Sequence, residues 1–137
     1  MQKEKTIFKK IVDGEIPATK VYEDDYAFAF LDISPCVRGH VLVVPKEQYK
    51  DIHDIPSKEV GPFFTSIQKI AAGIKKGLPC EGMNILINNG ASAGQVVYHL
   101  HVHLIPRQID DKGFFEKKYI YSNGDADAVA KKISENI

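Results

Sequence analysis

The run Tyr98-His99-Leu100-His101-Val102-His103-Leu104-Ile105-Pro106 sets three of the chain's five histidines at every second position. In an extended strand successive side chains point to opposite faces. His99, His101 and His103 would then share one side with Val97 and Ile105, while Tyr98, Leu100, Val102 and Leu104 take the other. A helix would scatter them, because residues two apart lie on nearly opposite sides of a turn of about 3.6 residues. Val96, Val97 and Val102 also favour extended backbone. The spacing predicts one strand from Gln95 to Pro106, with a titratable side and a core side.

At a rise of about 3.3 Å per residue, neighbouring histidines of this run stand about 6.6 Å apart and the outer two about 13 Å. An ion held at about 2.0–2.1 Å from each nitrogen can be shared by two of them but hardly by both outer ones. A two-histidine site would need further ligands, and His40 and His53 lie far off in sequence with no Cys-x-x-C motif. The expectation is no metal. A histidine-rich strand with no task would have to explain several rings side by side, where burial and mutual repulsion penalise protonation. Neutral imidazole is itself a nucleophile: with an unperturbed pKa near 6.5, roughly three quarters is unprotonated at pH 7. His101, flanked by His99 and His103, is the ring best placed to attack something lying over the strand.

At 137 residues, with 44% hydrophobic and 26% charged, the chain suits one domain over 1–137. Its formal net charge is zero, and its basic residues form no run, which argues against a nucleic-acid groove or an anionic membrane surface and for a small partner. Only Cys36 and Cys80 are present, and no N-terminal stretch resembles a leader, so a cytoplasmic location is expected. The Lys-rich first residues read as a frayed terminus.

Ile7, Phe8, Ile11 and Val12 form a short helical stripe stopped at Asp13-Gly14, with Pro17 beyond. Lys20 to Glu23, Tyr26 to Asp32 and His40 to Pro45 read as strands joined by short connections, hence antiparallel. Val60, Phe63, Phe64, Ile67, Ile70, Ala71, Ile74 and Leu78 keep one face of a long helix; Ser57 is a plausible cap, and Pro62 suggests a later regular start. Met83 to Asn88 and the histidine run complete about five strands, and Ala126, Val129, Ala130 and Ile133 mark a helix over 125–137. These elements predict an α+β fold: a mainly antiparallel sheet, one long central helix and short flanking helices.

The loop Gly90 to Gly94 precedes the histidines. Its small residues let backbone N–H groups approach an anion, and Gln95 adds a side-chain donor, which suggests phosphate. Such a loop is more often a plain hairpin connection.

The run His99 to Ile105 resembles the histidine-triad signature. Thr6-Ile7-Phe8-Lys9-Lys10-Ile11, Glu15-Ile16-Pro17-Ala18, Glu23-Asp24-Asp25, Ala29 to Pro35 and His40-Val41-Leu42-Val43-Val44-Pro45-Lys46 are similar in order and spacing to its Hint-like nucleotide-binding branch. The likeness runs from about Thr6 to Arg107. It implies a HIT-like fold, a homodimer, a purine nucleotide or nucleotidyl conjugate as partner, no cofactor, and hydrolysis at the α-phosphorus through a nucleotidyl-histidine. By the resemblance His101 is the nucleophile, His99 and His103 orient it and contact phosphate, and His40 supports them. Asn88, Gly94, Gln95 and the backbone at Val96 would surround the phosphate, and Asp32 would hold the ribose hydroxyls. Ile7, Phe8, Ile11, Ile16, Phe30, Leu31 and Ile33 would form the purine pocket.

His103 matters because related nucleotidyltransferases carry Gln there, so the likeness points to the hydrolase side. Many Hint-like relatives have Ser or Thr where this chain has Val96, and Leu104-Ile105-Pro106-Arg107 looks more like the dinucleoside polyphosphate hydrolase and bacterial branches. Some relatives bind structural zinc through positions that here hold Thr6, Lys9 and Gln48, so no zinc is expected. The leading expectation is cleavage of purine nucleoside phosphoramidates or related conjugates. A dinucleoside polyphosphate hydrolase, or a nucleotide-binding and interaction module with incidental catalysis, are the alternatives.

Overall fold

A computed structural model describes residues 3–111, 113 and 115–137. The elements are α1 (Ile7–Val12), β1 (Lys20–Glu23), β2 (Ala27–Leu31), β3 (Val41–Pro45), α2 (Ser57–Gly77), β4 (Gly82–Ile87), a 3-10 turn (Ala91–Ala93), β5 (Val102–Arg107) and α3 (Asp125–Ser134). The five strands form one sheet in the order β1-β2-β3-β5-β4, and every neighbouring pair is antiparallel. This is the expected α+β architecture.

Alternation along the strands sorts side chains between two layers. Ala27, Ala29 and Leu31 of β2, Val41 and Val43 of β3, and Val102 and Leu104 of β5 pack in one core with Phe63, Ile67, Ile70 and Ile74 of α2 and Val129 and Ile133 of α3. The opposite side buries Phe28, Phe30, Leu42 and Val44 against Phe8 of α1. Both faces of β2 and β3 are therefore covered, which is why these strands are buried at every position. α1 is capped by Thr6, whose hydroxyl accepts from Lys9 N–H at 3.1 Å, and Gly14 beyond it takes a left-handed φ of 79°.

Element ends fall within one to three residues of expectation elsewhere, and three features differ in kind. Ser57 is the first residue of α2 and not its cap; Pro56 holds the cap position and makes no side-chain bond there. The helix runs on through Pro62; the Ser66 hydroxyl donates to the Pro62 carbonyl at 3.2 Å in the next turn. The largest difference is in the histidine run, where β5 begins only at Val102. The start of the chain is also tied down where described: Met1 and Gln2 lie outside the described residues, while Lys5 pairs with Asp13 at 2.9 Å and Glu15 at 2.6 Å. No helix among the described residues is long and apolar enough to cross a membrane.

Candidate active site

The segment Gln95 to His101 does not run straight into β5, because its polar groups are held from several directions. The Gln95 carboxamide accepts from Gly90 N–H at 2.8 Å and donates to the carbonyls of Lys50 at 2.7 Å and Val97 at 3.1 Å. Leu100 N–H donates to Tyr49 carbonyl at 2.7 Å. His99 is fully buried, while Phe8 of α1 meets both the His99 ring and the His101 ring edge-on, at 6.1 and 4.9 Å between centroids. Leu100, Val102 and Leu104 do reach the core as expected, but Tyr98 stays 47% exposed.

Backbone partners fix the tautomers of His99, His101 and His40, and His40 in turn fixes that of His103. Pro45 carbonyl can only accept, so the His99 Nε2 at 3.2 Å from it carries the proton. His99 Nδ1 is then an acceptor for the Thr6 hydroxyl at 3.0 Å. The carbonyl of His99 in turn accepts from His101 Nδ1–H at 2.7 Å, which leaves the lone pair of His101 on Nε2. Cys36 N–H donates to His40 Nδ1 at 3.0 Å, so His40 donates from Nε2 to His103 Nδ1, also at 3.0 Å. His103 therefore presents Nε2–H.

All four rings are neutral at pH 7. Burial pushes His99 down to about 4. It does the same to His40, outweighing the nearby Asp32 carboxylate. Burial, with repulsion from His101 and His40, takes His103 to about 3, and burial lowers His101. Every buried side-chain nitrogen and oxygen among the described residues has a hydrogen-bond partner. The Nε2 atoms of His101 and His103, which have none, are therefore open to the space beside them.

That space is a cavity of about 760 Å³ lined by His40, His101, His103, Asp32, Asn88, Gly94 and Val96. Its apolar wall includes Ile7, Phe8, Ile11, Ile16, Phe30, Leu31 and Ile33, each of them expected there. Phe8 meets His101 edge-on, ring centroids 4.9 Å apart. Ile33 is 97% exposed, Val96 82% and Ile7 49%, so the mouth carries bare hydrocarbon that a bound planar group would cover.

Two expected residues do not line the cavity: His99 is fully buried with both ring nitrogens bonded, to Thr6 and Pro45, and Gln95 has its side chain bonded to the loop. The loop as an anion cradle is likewise reduced: Gly90, Ala93, Gly94 and Gln95 use their N–H groups internally. The Asn88 carboxamide and Val96 N–H have no partner among the described residues. His53 is exposed outside the cavity.

The turn that brings His40 to the site depends on Gly39, at φ 90°, where an added Cβ would fall 2.5 Å from Leu78 Cδ1. Asp32 closes the floor: Oδ1 accepts from Ser34 N–H at 2.8 Å and Oδ2 lies 3.5 Å from His40 Nε2. Asp32, His40 and His103 each bring a donor atom within 4.8 Å of the others, a spacing a divalent cation could use, although the two histidines already bond each other. Thr6, Lys9 and Gln48 also converge beside His99, as hydrogen-bond partners: Thr6 N–H donates to Gln48 Oε1 at 2.9 Å.

The cavity also has a wall that the sequence reading missed. Phe115, Lys117 and Tyr121, from the irregular segment before α3, line it. Their spacing by two and four residues, in a cluster of aromatic and basic side chains, was the available signal.

The HIT domain model matches residues 13–110. The chain belongs to the HIT domain family. An uncharacterized HIT-like protein of Methanocaldococcus jannaschii is 46% identical over 127 residues, spanning 93% of this chain and 97% of the relative. The adenosine 5'-monophosphoramidase of Schizosaccharomyces pombe is 35% identical over 133 residues, 96% of this chain and 97% of its own. Among solved structures, a HIT-like protein from Bartonella henselae aligns over 100% of both chains with a TM-score of 0.86 and 36% identity. The HIT fold read from the alternating histidines is thus the fold observed.

Proposed function

We propose that this HIT protein hydrolyses purine nucleoside 5'-phosphoryl conjugates, phosphoramidates among them, at the α-phosphorus with His101 as nucleophile. The observation that carries this reading is the His101 ring itself: its Nδ1–H is fixed on the His99 carbonyl at 2.7 Å, and its Nε2 faces the cavity as an unprotonated acceptor. The name of the Schizosaccharomyces pombe relative, adenosine 5'-monophosphoramidase, supports an adenosine conjugate.

In the first step the Nε2 lone pair forms an N–P bond while the bond from phosphorus to the leaving group breaks, its electron pair departing with that group. Water then attacks phosphorus, the N–P bond breaks, the pair returns to Nε2, and the monophosphate is released; the proton that water gives up goes to solvent and balances the one an amine leaving group takes up as it departs. One hard displacement becomes two easier ones. The Asn88 carboxamide and Val96 N–H are the donors that would meet phosphate oxygens, Gly94 leaves room beside them for a phosphate to approach, and His103 Nε2–H adds another donor. Asp32 keeps acceptor capacity for a ribose diol, and the apolar wall from Ile7 to Ile33 receives the purine. His40 holds His103 in its tautomer, and His99 acts through its carbonyl.

We also propose a homodimer: β4 is an edge strand of the sheet and leaves Ile85 55% exposed, a surface that a second copy would cover. Light scattering on the purified chain tests this. For the activity, adenosine 5'-phosphoramidate and diadenosine triphosphate are the substrates to assay. Release of AMP from at least one supports the hydrolase, and turnover of neither contradicts it.

A further inference from the structure

The carbonyl that fixes the His101 ring lies outside the sheet. β5 begins at Val102, so no strand pairing positions residue 99, and the backbone beside it is tied by Leu100 N–H to the Tyr49 carbonyl at 2.7 Å. The ring of His99 supplies the remaining hold. It is strung between two elements, with Nε2–H on the carbonyl of Pro45, the last residue of β3, at 3.2 Å and Nδ1 on the Thr6 hydroxyl at 3.0 Å. His99 is fully buried, so solvent offers no substitute for either bond.

Thr6 is itself fixed. Its hydroxyl is used in both directions, accepting from Lys9 N–H at 3.1 Å as the cap of α1 and donating to His99. Its N–H donates to Gln48 Oε1 at 2.9 Å, and Gln48 Nε2–H donates to the Glu4 carbonyl at 2.9 Å, so one carboxamide clamps the chain just ahead of the helix. From the first turn of that helix, Phe8 meets the rings of His99 and His101 edge-on. Thr6 does not line the cavity, so any part it plays in the chemistry passes through His99.

Building on the reading of His101 as nucleophile, we infer that Thr6 is a positioning residue for the reaction: through His99 it holds the carbonyl on which the His101 ring is aligned. Without the hydroxyl, His99 Nδ1 would be a buried acceptor with no donor, and the side chain would gain by turning to find one. The carbonyl of His99 would move with it. A hydrogen bond weakens steeply as it lengthens and bends, and His101 would then divide its proton between Nδ1 and Nε2. A ring protonated on Nε2 presents no lone pair to phosphorus, and a misaligned one attacks slowly. The same turn of α1 carries Ile7 and Phe8 into the apolar wall, so the segment that receives the nucleobase is also the one that aligns the nucleophile.

The test uses the full chain with Thr6→Val, close in shape but without the hydroxyl, Thr6→Ser, which restores it, and Gln48→Ala, which removes the clamp; each is assayed below its melting temperature. Ring nitrogen NMR of the free proteins reads the His101 tautomer. Single-turnover hydrolysis of adenosine 5'-phosphoramidate and of diadenosine triphosphate reads the chemistry, and calorimetry with AMP reads the site. Thr6→Val should give His101 a mixed tautomer signal and slow hydrolysis by about tenfold or more, with AMP affinity kept within about twofold. Thr6→Ser should return both readouts toward wild type, and Gln48→Ala should move both in the direction of Thr6→Val by less. The wild-type tautomer with an unaltered rate in Thr6→Val, or a rate loss matched by an equal loss of AMP affinity, overturns the role of Thr6 and leaves His101 as nucleophile. Wild-type turnover of neither substrate instead overturns the hydrolase reading on which this one rests.

Discussion

His101 donates its Nδ1–H to the backbone carbonyl of His99 across 2.7 Å, so the residue two positions earlier sets the protonation pattern of the candidate nucleophile without using its own ring. A carbonyl cannot donate, and the proton therefore stays on Nδ1. The lone pair is left on Nε2, which faces the cavity.

Removing that ring separates chemistry from binding. His101→Asn is expected to lower single-turnover hydrolysis by at least about 10³-fold, with AMP affinity by calorimetry retained within several-fold. Hydrolysis equal to wild type would reject the assignment.

Thr6 reaches the same machinery from α1. Thr6→Val keeps the shape but leaves His99 Nδ1 buried without a donor, at a cost of about 1–3 kcal/mol; Thr6→Ser should recover most of it. Urea unfolding of the two variants measures the difference, and equal stability would show that the bond to His99 contributes nothing.

Gln95 separates a loop clamp from a phosphate donor. Gln95→Ala removes three hydrogen bonds and should lower the unfolding free energy by about 1–3 kcal/mol. A wild-type melting curve accompanied by a raised KM would restore the donor role that its side-chain bonding argues against.

The buried histidines make stability depend on acid. Their folded pKa values lie below the unfolded value near 6.5, at about 4 for His40 and His99 and about 3 for His103. The unfolded chain therefore binds more protons below pH 6.5. Stability should be level above about pH 7 and fall as pH drops from 6.5 toward 4, by up to about 1.4 kcal/mol per pH unit for each of these histidines. Urea midpoints from pH 8 to 5 test this; a midpoint flat down to pH 5 would contradict it.

The helical face through Phe63, Ile67, Ile70 and Ile74 was legible because burial on one side leaves a periodic trace, whereas His40 to Pro45 was legible as an unbroken apolar run between turn residues, which is what burial on both faces of β3 leaves. The cavity wall from Ile7 to Ile33 was legible only through the family resemblance, since each of those residues serves equally well in a core. That His99 and Gln95 do not line the cavity was not legible, because the hydrogen bonds that hold residues 95–101 come from Lys50, Tyr49, Pro45 and Thr6, far off in sequence. Lys117 escaped notice because its position depends on anchors from Pro35, Cys36 and Gly39, which no local spacing records.

The most direct test of the nucleophile is rapid alkaline quench of the enzyme with substrate labelled at the α-phosphorus, followed by peptide mapping of the adduct. A transient, acid-labile nucleotidyl group on His101 is the predicted result. Label on another residue, or rapid turnover with no protein-bound label at any quench time, would contradict it.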